Sequence, residues 1–150
     1  KTYAMTGWRI GYAAANEDLI RKMTIIQEHT LTCVCSFGQK AALAALKGPR
    51  DTVKGFITKC DEGRKLIVDE LNKLPNVSCQ MPRGTFYAFV NITNHNMSSN
   101  QFSDFLLEKA GVMTVPGPAF GVFGEGYVRF SFALPKEHIK KGLERIKNVM

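Results

Sequence analysis

YVRFSFAL, Tyr127 to Leu134, is the stretch that decides the fold. Its apolar residues alternate: Val128, Phe130, Phe132 and Leu134 fall on one side of an extended chain, because successive strand side chains point to opposite faces. The segment reads as a strand with a core face, and its other face carries Tyr127, Arg129, Ser131 and Ala133. Downstream, Pro135 starts a helix whose Ile139, Leu143, Ile146 and Met150 keep a three-to-four spacing and form one stripe. Upstream, Pro116 to Gly126 is a loop rich in glycine and proline, preceded by a short strand from Val112 to Val115.

The same alternation appears from Thr85 to Ile92, where Phe86, Ala88 and Val90 alternate with Tyr87 and Phe89. The Pro82-Arg83-Gly84 turn joins it to a strand from Val77 to Met81, which makes a hairpin. Between hairpin and loop, Ser98 and Gln101 form a capping box that opens a helix with Phe102, Phe105 and Leu106 inward, ending at Gly111. The later part is therefore a sheet covered by helices on one side, an α+β layer arrangement.

The earlier part is helical. Ile10 to Ala14 reads as a short buried strand ending at Asn16, which caps a helix bearing Leu19, Ile20, Met23 and Ile26 on one face. Ser36 with Gln39 predicts a second capping box for a helix through Leu46, stopped by Gly48 and Pro49. Asp51 caps a long third helix with Val53, Phe56, Ile57, Cys60, Ile67, Leu71 and Leu74 in register until Pro75. Such a helix, spanning roughly 35 Å, suits a connector between two domains.

Composition narrows the function. With 150 residues, 45% of them hydrophobic and 22% charged, the chain is long enough for one core and a second partial one. No apolar run approaches the roughly 18 to 20 residues that cross a bilayer, and no signal-peptide pattern opens the chain, so no membrane partner and a cytoplasmic setting are expected. The charge of +7, from 20 basic and 13 acidic residues, is spread over helices, which fits solvated faces and no nucleic acid. Cys33, Cys35, Cys60 and Cys79 have neither zinc-ribbon spacing nor disulfide-scaffold density, so reduced thiols and no metal are expected. The sequons at Asn76, Asn91 and Asn96 carry no glycan in that setting. Lys1 in place of Met, with no capping punctuation behind it, reads as a chain cut from something longer.

Three cations stand out as chemistry. Lys1 and Arg9 are joined by a segment holding Gly7, Trp8 and Gly11, where glycines allow close backbone approach to a ligand. An amine nucleophile beside a phosphate would suit the pair, and two exposed surface cations would give the same spacing. Arg129 sits inside an otherwise apolar strand, on its more polar face, where a solvated edge arginine is the plain reading.

The string KTYAMTGWRIGY, Lys1 to Tyr12, resembles the active-site segment of fold-type I, pyridoxal-phosphate-dependent aminotransferases of class I/II, the aspartate aminotransferase-like group. VPGPAFGVFGEGYVRFSFA, Val115 to Ala133, resembles the same family, as do GTFYAF (Gly84 to Phe89) and SFGQKAALAAL (Ser36 to Leu46). The resemblance covers essentially the whole chain and implies the C-terminal portion of such an enzyme, of α/β class. Residues 1–50 would end the large cofactor-binding domain, 51–75 would be the connecting helix, and 76–150 the C-terminal small domain with its α+β sheet. It implies that Lys1 bonds the aldehyde of pyridoxal 5'-phosphate and moves the substrate proton. It further implies that Arg9 binds the cofactor phosphate, that Arg129 grips the substrate α-carboxylate, and that Phe86 or Tyr87 borders the substrate side chain. The implied reaction passes an amino group between an α-amino acid of aspartate or aromatic type and a 2-oxo acid, in a homodimer. A lyase or synthase of the same fold would use the same three residues, and an inert small-domain fragment would use none. The family's remaining cofactor contacts have no counterparts in this chain, and Cys33-Val34-Cys35 departs from the small residues or proline expected there.

Overall fold

Asn16 opens helix α1, Glu17–Thr30: its side-chain oxygen accepts from the Leu19 N–H at 2.9 Å, while Glu17 and Asp18 lie at the positive end of the helix. The computed structural model describes residues 1–150 and divides into two units, Lys1–Gly55 and Phe56–Met150.

In the first unit α1 is followed by α2, Ser36–Lys47, which Gly48 closes by donating its N–H to the Ala44 carbonyl at 2.8 Å. The capping box expected at Ser36 does not form. Cys35 is the cap residue, Ser36 already lies in the first turn, and the Gln39 amide donates to the Val34 carbonyl at 2.9 Å. The strand expected at Ile10 to Ala14 is also absent, and most of that stretch is exposed. A buried strand needs a neighbour to take up its N–H and C=O groups, and all four strands belong to the second unit. Only Gly38 is buried in the first unit, so the apolar face of α1 stays open, with Ile26 at 63% exposure.

Helix α3, Asp51–Leu71, stops short of the expected Leu74. Asn72 explains the early end. Its side-chain oxygen accepts from the Cys79 N–H at 2.7 Å and its amide donates to the Cys79 carbonyl at 2.9 Å, clamping the helix end to the first strand. Asparagine competes well for backbone groups in this way and seldom continues a helix.

The second unit holds a four-stranded antiparallel sheet in the order β1-β2-β4-β3, with β1 at Ser78–Cys79, β2 at Tyr87–Asn91, β3 at Val115–Pro116 and β4 at Tyr127–Ser131. Ala88, Val90, Val128 and Phe130 point inward and are buried against Ile67, Val68 and Leu71 of α3 and against the two later helices. Helix α4, Ser99–Phe105, carries the expected capping box from Ser98 and Gln101. It adds a wider π-type turn, Leu106–Ala110, and Gly111 ends it at φ 61°. Helix α5, Lys136–Lys147, buries Ile139, Leu143 and Ile146 as its spacing requires. Phe102 and Phe132 are almost completely buried, and each contributes on the order of 2 to 3 kcal/mol by leaving water.

Further details differ from expectation, beginning with β1, where Ser78–Cys79 stands in place of the expected Val77 to Met81. Strand β3 begins at Val115 instead of Val112, because Thr114 turns inward and donates its hydroxyl to Ser103 Oγ at 3.0 Å. Leu134, expected in the core, is 53% exposed, since the extended run ends at Ser131 before the chain turns into α5.

Candidate active site

The loop from Pro116 to Gly126 feeds β4, and close packing fixes its shape. Gly117 and Gly124 approach so tightly that a Cβ on Gly117 would lie 1.8 Å from the Gly124 carbonyl oxygen. Ser99, fully buried at the start of α4, accepts from the Gly126 N–H at 2.9 Å and the Tyr127 N–H at 3.2 Å. Its own N–H donates to the Glu125 carboxylate at 2.9 Å. The end of the loop is thus pinned to a helix, and β4 starts from a defined position.

Arg129 lies on the sheet face opposite the core, half-buried and paired across the strands with Phe89. Its guanidinium carbon sits over the Tyr87 ring at 4.0 Å and over the Phe120 ring at 4.5 Å from the centroids. Phe89 stacks on Tyr127 at 5.1 Å and meets Phe120 edge-on at 6.2 Å. A groove of about 410 Å³ opens there, lined by Ser78, Gln80, Tyr87, Phe89, Tyr127 and Arg129. A cation on an open, ring-lined face can take up a carboxylate in its fork.

In the first unit, Thr6–Trp8 is a single 3-10 turn, and Arg9 follows it in left-handed backbone at φ 51°. The side chain of Arg9 donates one long hydrogen bond to the Thr6 carbonyl, 3.4 Å, and both Lys1 and Arg9 are exposed. Trp8 meets Phe37 of α2 edge-on at 6.3 Å, which ties the segment to that helix. Lys1 and Arg9 therefore share one short segment, and Arg129 belongs to the second unit. Of the two aromatic residues expected beside the substrate, Tyr87 stands on the Arg129 face, whereas Phe86 packs against the core.

Phe120 is the residue that sequence reasoning missed. It lies within the glycine- and proline-rich loop, where no periodicity assigns a side chain to a face. The four cysteines are free thiols, and burial pushes the Cys79 thiol up to about 11, which removes it as a nucleophile near neutral pH. Asp61 is held below its usual range by hydrogen bonds from Lys65 and then Arg64, and it serves as an anchor within α3.

The sequence profile of aminotransferase class I and II matches residues 1–146. The chain belongs to that family. Aspartate aminotransferase of Pyrococcus horikoshii is 41% identical over 152 residues, and aromatic-amino-acid aminotransferase 2 of Thermococcus litoralis is 40% identical over 154. Each alignment covers 100% of this chain, and the chain spans 39% of the length of either relative. Among solved structures, the aromatic aminotransferase of Pyrococcus horikoshii superposes with a TM-score of 0.95 at 40% identity, over 99% of this chain and 40% of that one. The aspartate aminotransferase of Rhizobium meliloti gives 0.91 at 36% identity, over 99% and 39%. The α/β class is that of these aminotransferase structures. No helix is long and apolar enough to cross a membrane.

Membership implies pyridoxal phosphate, and the donor set of the first segment suits it. An amine can bond an aldehyde, and a guanidinium with most of its donors open matches phosphate oxygens.

Proposed function

We propose that the parent protein is a pyridoxal-phosphate-dependent aminotransferase that passes an amino group between an α-amino acid of aspartate or aromatic type and a 2-oxo acid. In this reading it works as a cytoplasmic homodimer. The observation that carries the reading is Arg129: a guanidinium tied to no other side chain by hydrogen bond or ion pair, set on an open groove of a family member's sheet. Residues 1–50 belong with the large cofactor-binding domain, 51–75 with the connector, and 76–150 with the small domain.

The cofactor, when bound, supplies an aldehyde and an electron-withdrawing ring. Lys1 Nζ would hold it through that aldehyde, and the same amine, once displaced by the incoming amino group, would take up and return the substrate's Cα proton. Arg9 would grip the cofactor's phosphate with a planar, permanently charged fork. Arg129 orients the substrate by its α-carboxylate, which aligns the Cα–H bond for transfer. The relatives are more than twice as long as this chain, so the 150 residues alone are expected to take up the cofactor weakly and nonspecifically, without turning over.

The test is to incubate the parent enzyme with pyridoxal 5'-phosphate, reduce with borohydride and map the peptides. One label per chain on Lys1 Nζ is the expected result. Label scattered over the lysines, or found on a different single lysine, overturns the assignment. In the parent enzyme Arg129→Lys should weaken substrate carboxylate binding by roughly tenfold, because lysine offers a point charge in place of a fork.

A further inference from the structure

Arginine on a strand has several rotatable bonds, yet a carboxylate clamp needs its fork in one place before the ligand arrives. No hydrogen bond or ion pair to another side chain fixes Arg129. What surrounds the guanidinium is aromatic: Tyr87 at 4.0 Å and Phe120 at 4.5 Å. The two rings arrive by different routes. Tyr87 pairs with Ser131, which makes it the diagonal neighbour of Arg129 across the antiparallel register. Phe120 comes from the loop between β3 and β4, and Phe89 holds it edge-on while stacking on Tyr127.

We propose that Tyr87 and Phe120 are positioning residues that hold the Arg129 guanidinium by its attraction to their ring faces, leaving its N–H edge free for a carboxylate. The proposal rests on the carboxylate-clamp reading of Arg129. Cation–π attraction fixes the charge without using any N–H donor, which a carboxylate partner would occupy. All five donors of the fork lie in one plane, so ring faces against the cation restrict the approach and leave the donors available. The rings also displace water from around the cation, which strengthens a charge-assisted hydrogen bond formed there.

The test uses the 150-residue chain and NMR of the Arg129 side chain, with succinate as the carboxylate probe. Ring currents should move the Arg129 Hδ and Nε–Hε resonances away from their free-chain positions. Phe120 is 51% exposed, so Phe120→Leu should leave the core spectrum intact. In that variant the Arg129 resonances should relax toward free-chain positions and succinate should bind roughly three- to tenfold more weakly. Phe120→Tyr should restore both. Tyr87→Leu is the second variant and should act in the same direction. Unchanged Arg129 shifts and unchanged succinate affinity in both leucine variants overturn the positioning role, while loss of succinate binding in Arg129→Lys would still support the clamp. If succinate binds equally well to the wild-type chain and to Arg129→Lys, the clamp reading fails and the proposal fails with it, whatever the ring shifts show.

Discussion

Replacing Gly117 with alanine should cost the chain about 3 kcal/mol. The added Cβ would fall 1.8 Å from the Gly124 carbonyl oxygen and 2.8 Å from that of Tyr127, both main-chain atoms. No side-chain rotation relieves either contact, so the loop itself must open. Overpacking of this kind costs ~1–3 kcal/mol, with backbone displacement toward the upper end. For a chain of this length the corresponding fall in melting temperature is roughly 6 to 12 °C. Gly84 supplies the control. Nothing lies within 4 Å of the Cβ it would gain, so Gly84→Ala should stay within about 0.5 kcal/mol of the parent chain. Scanning calorimetry on both variants gives the difference directly. The same opening should draw Phe120 away from Arg129, because the residue rides on the loop that Gly117 and Gly124 close. If Gly117→Ala and Gly84→Ala melt together, the glycine contact does not hold this loop, and the argument for its shape is wrong.

Two further predictions concern stability. Ser98→Ala should cost about 1 kcal/mol in urea denaturation, since Ser98 completes a real capping box, whereas Ser36→Ala should cost almost nothing; equal losses would contradict the cap assignments. Burial raises the Cys79 thiol from 9.0 to about 11, so the folded chain keeps a proton that the unfolded chain sheds. Stability should therefore be unaffected by this group below pH 9.0 and fall by roughly 2 to 3 kcal/mol as pH rises through the window to about 11. That decline should be missing from Cys79→Ala when urea midpoints are compared at both ends of the window.

The second unit was legible because its periodicities are long enough to overdetermine the faces. Val128, Phe130 and Phe132 alternate, Ile139, Leu143 and Ile146 recur at helical spacing, and all six are buried. Where the reading went wrong, a side chain had found a partner that the local pattern does not reveal. Ser36 and Gln39 have the spacing of a capping box, yet Gln39 turns to the Val34 carbonyl, five residues back. Asn72 leaves a helical pattern that runs on to Leu74, because Cys79 offers it both a donor and an acceptor. Ile10 to Ala14 has strand composition but no strand beside it, and composition alone cannot supply the missing hydrogen bonds.

The site divides along the same line. Arg129 announced itself, because a permanently charged residue within an apolar strand demands an explanation. Its surroundings did not, since they depend on register. Tyr87 and Phe89 look like ordinary sheet residues until β2 and β4 are paired, and only the observed register sets Phe89 opposite Arg129 and Tyr87 on the diagonal. A slip of one residue would turn both rings to the core side and take Tyr87 away from the arginine. Phe120 is further from reach, because its place is set by the approach of Gly117 to Gly124, which the sequence records only as two glycines in a loop. A cation can therefore be found from a one-dimensional pattern, but what holds it requires the pairing of strands and the closure of a loop.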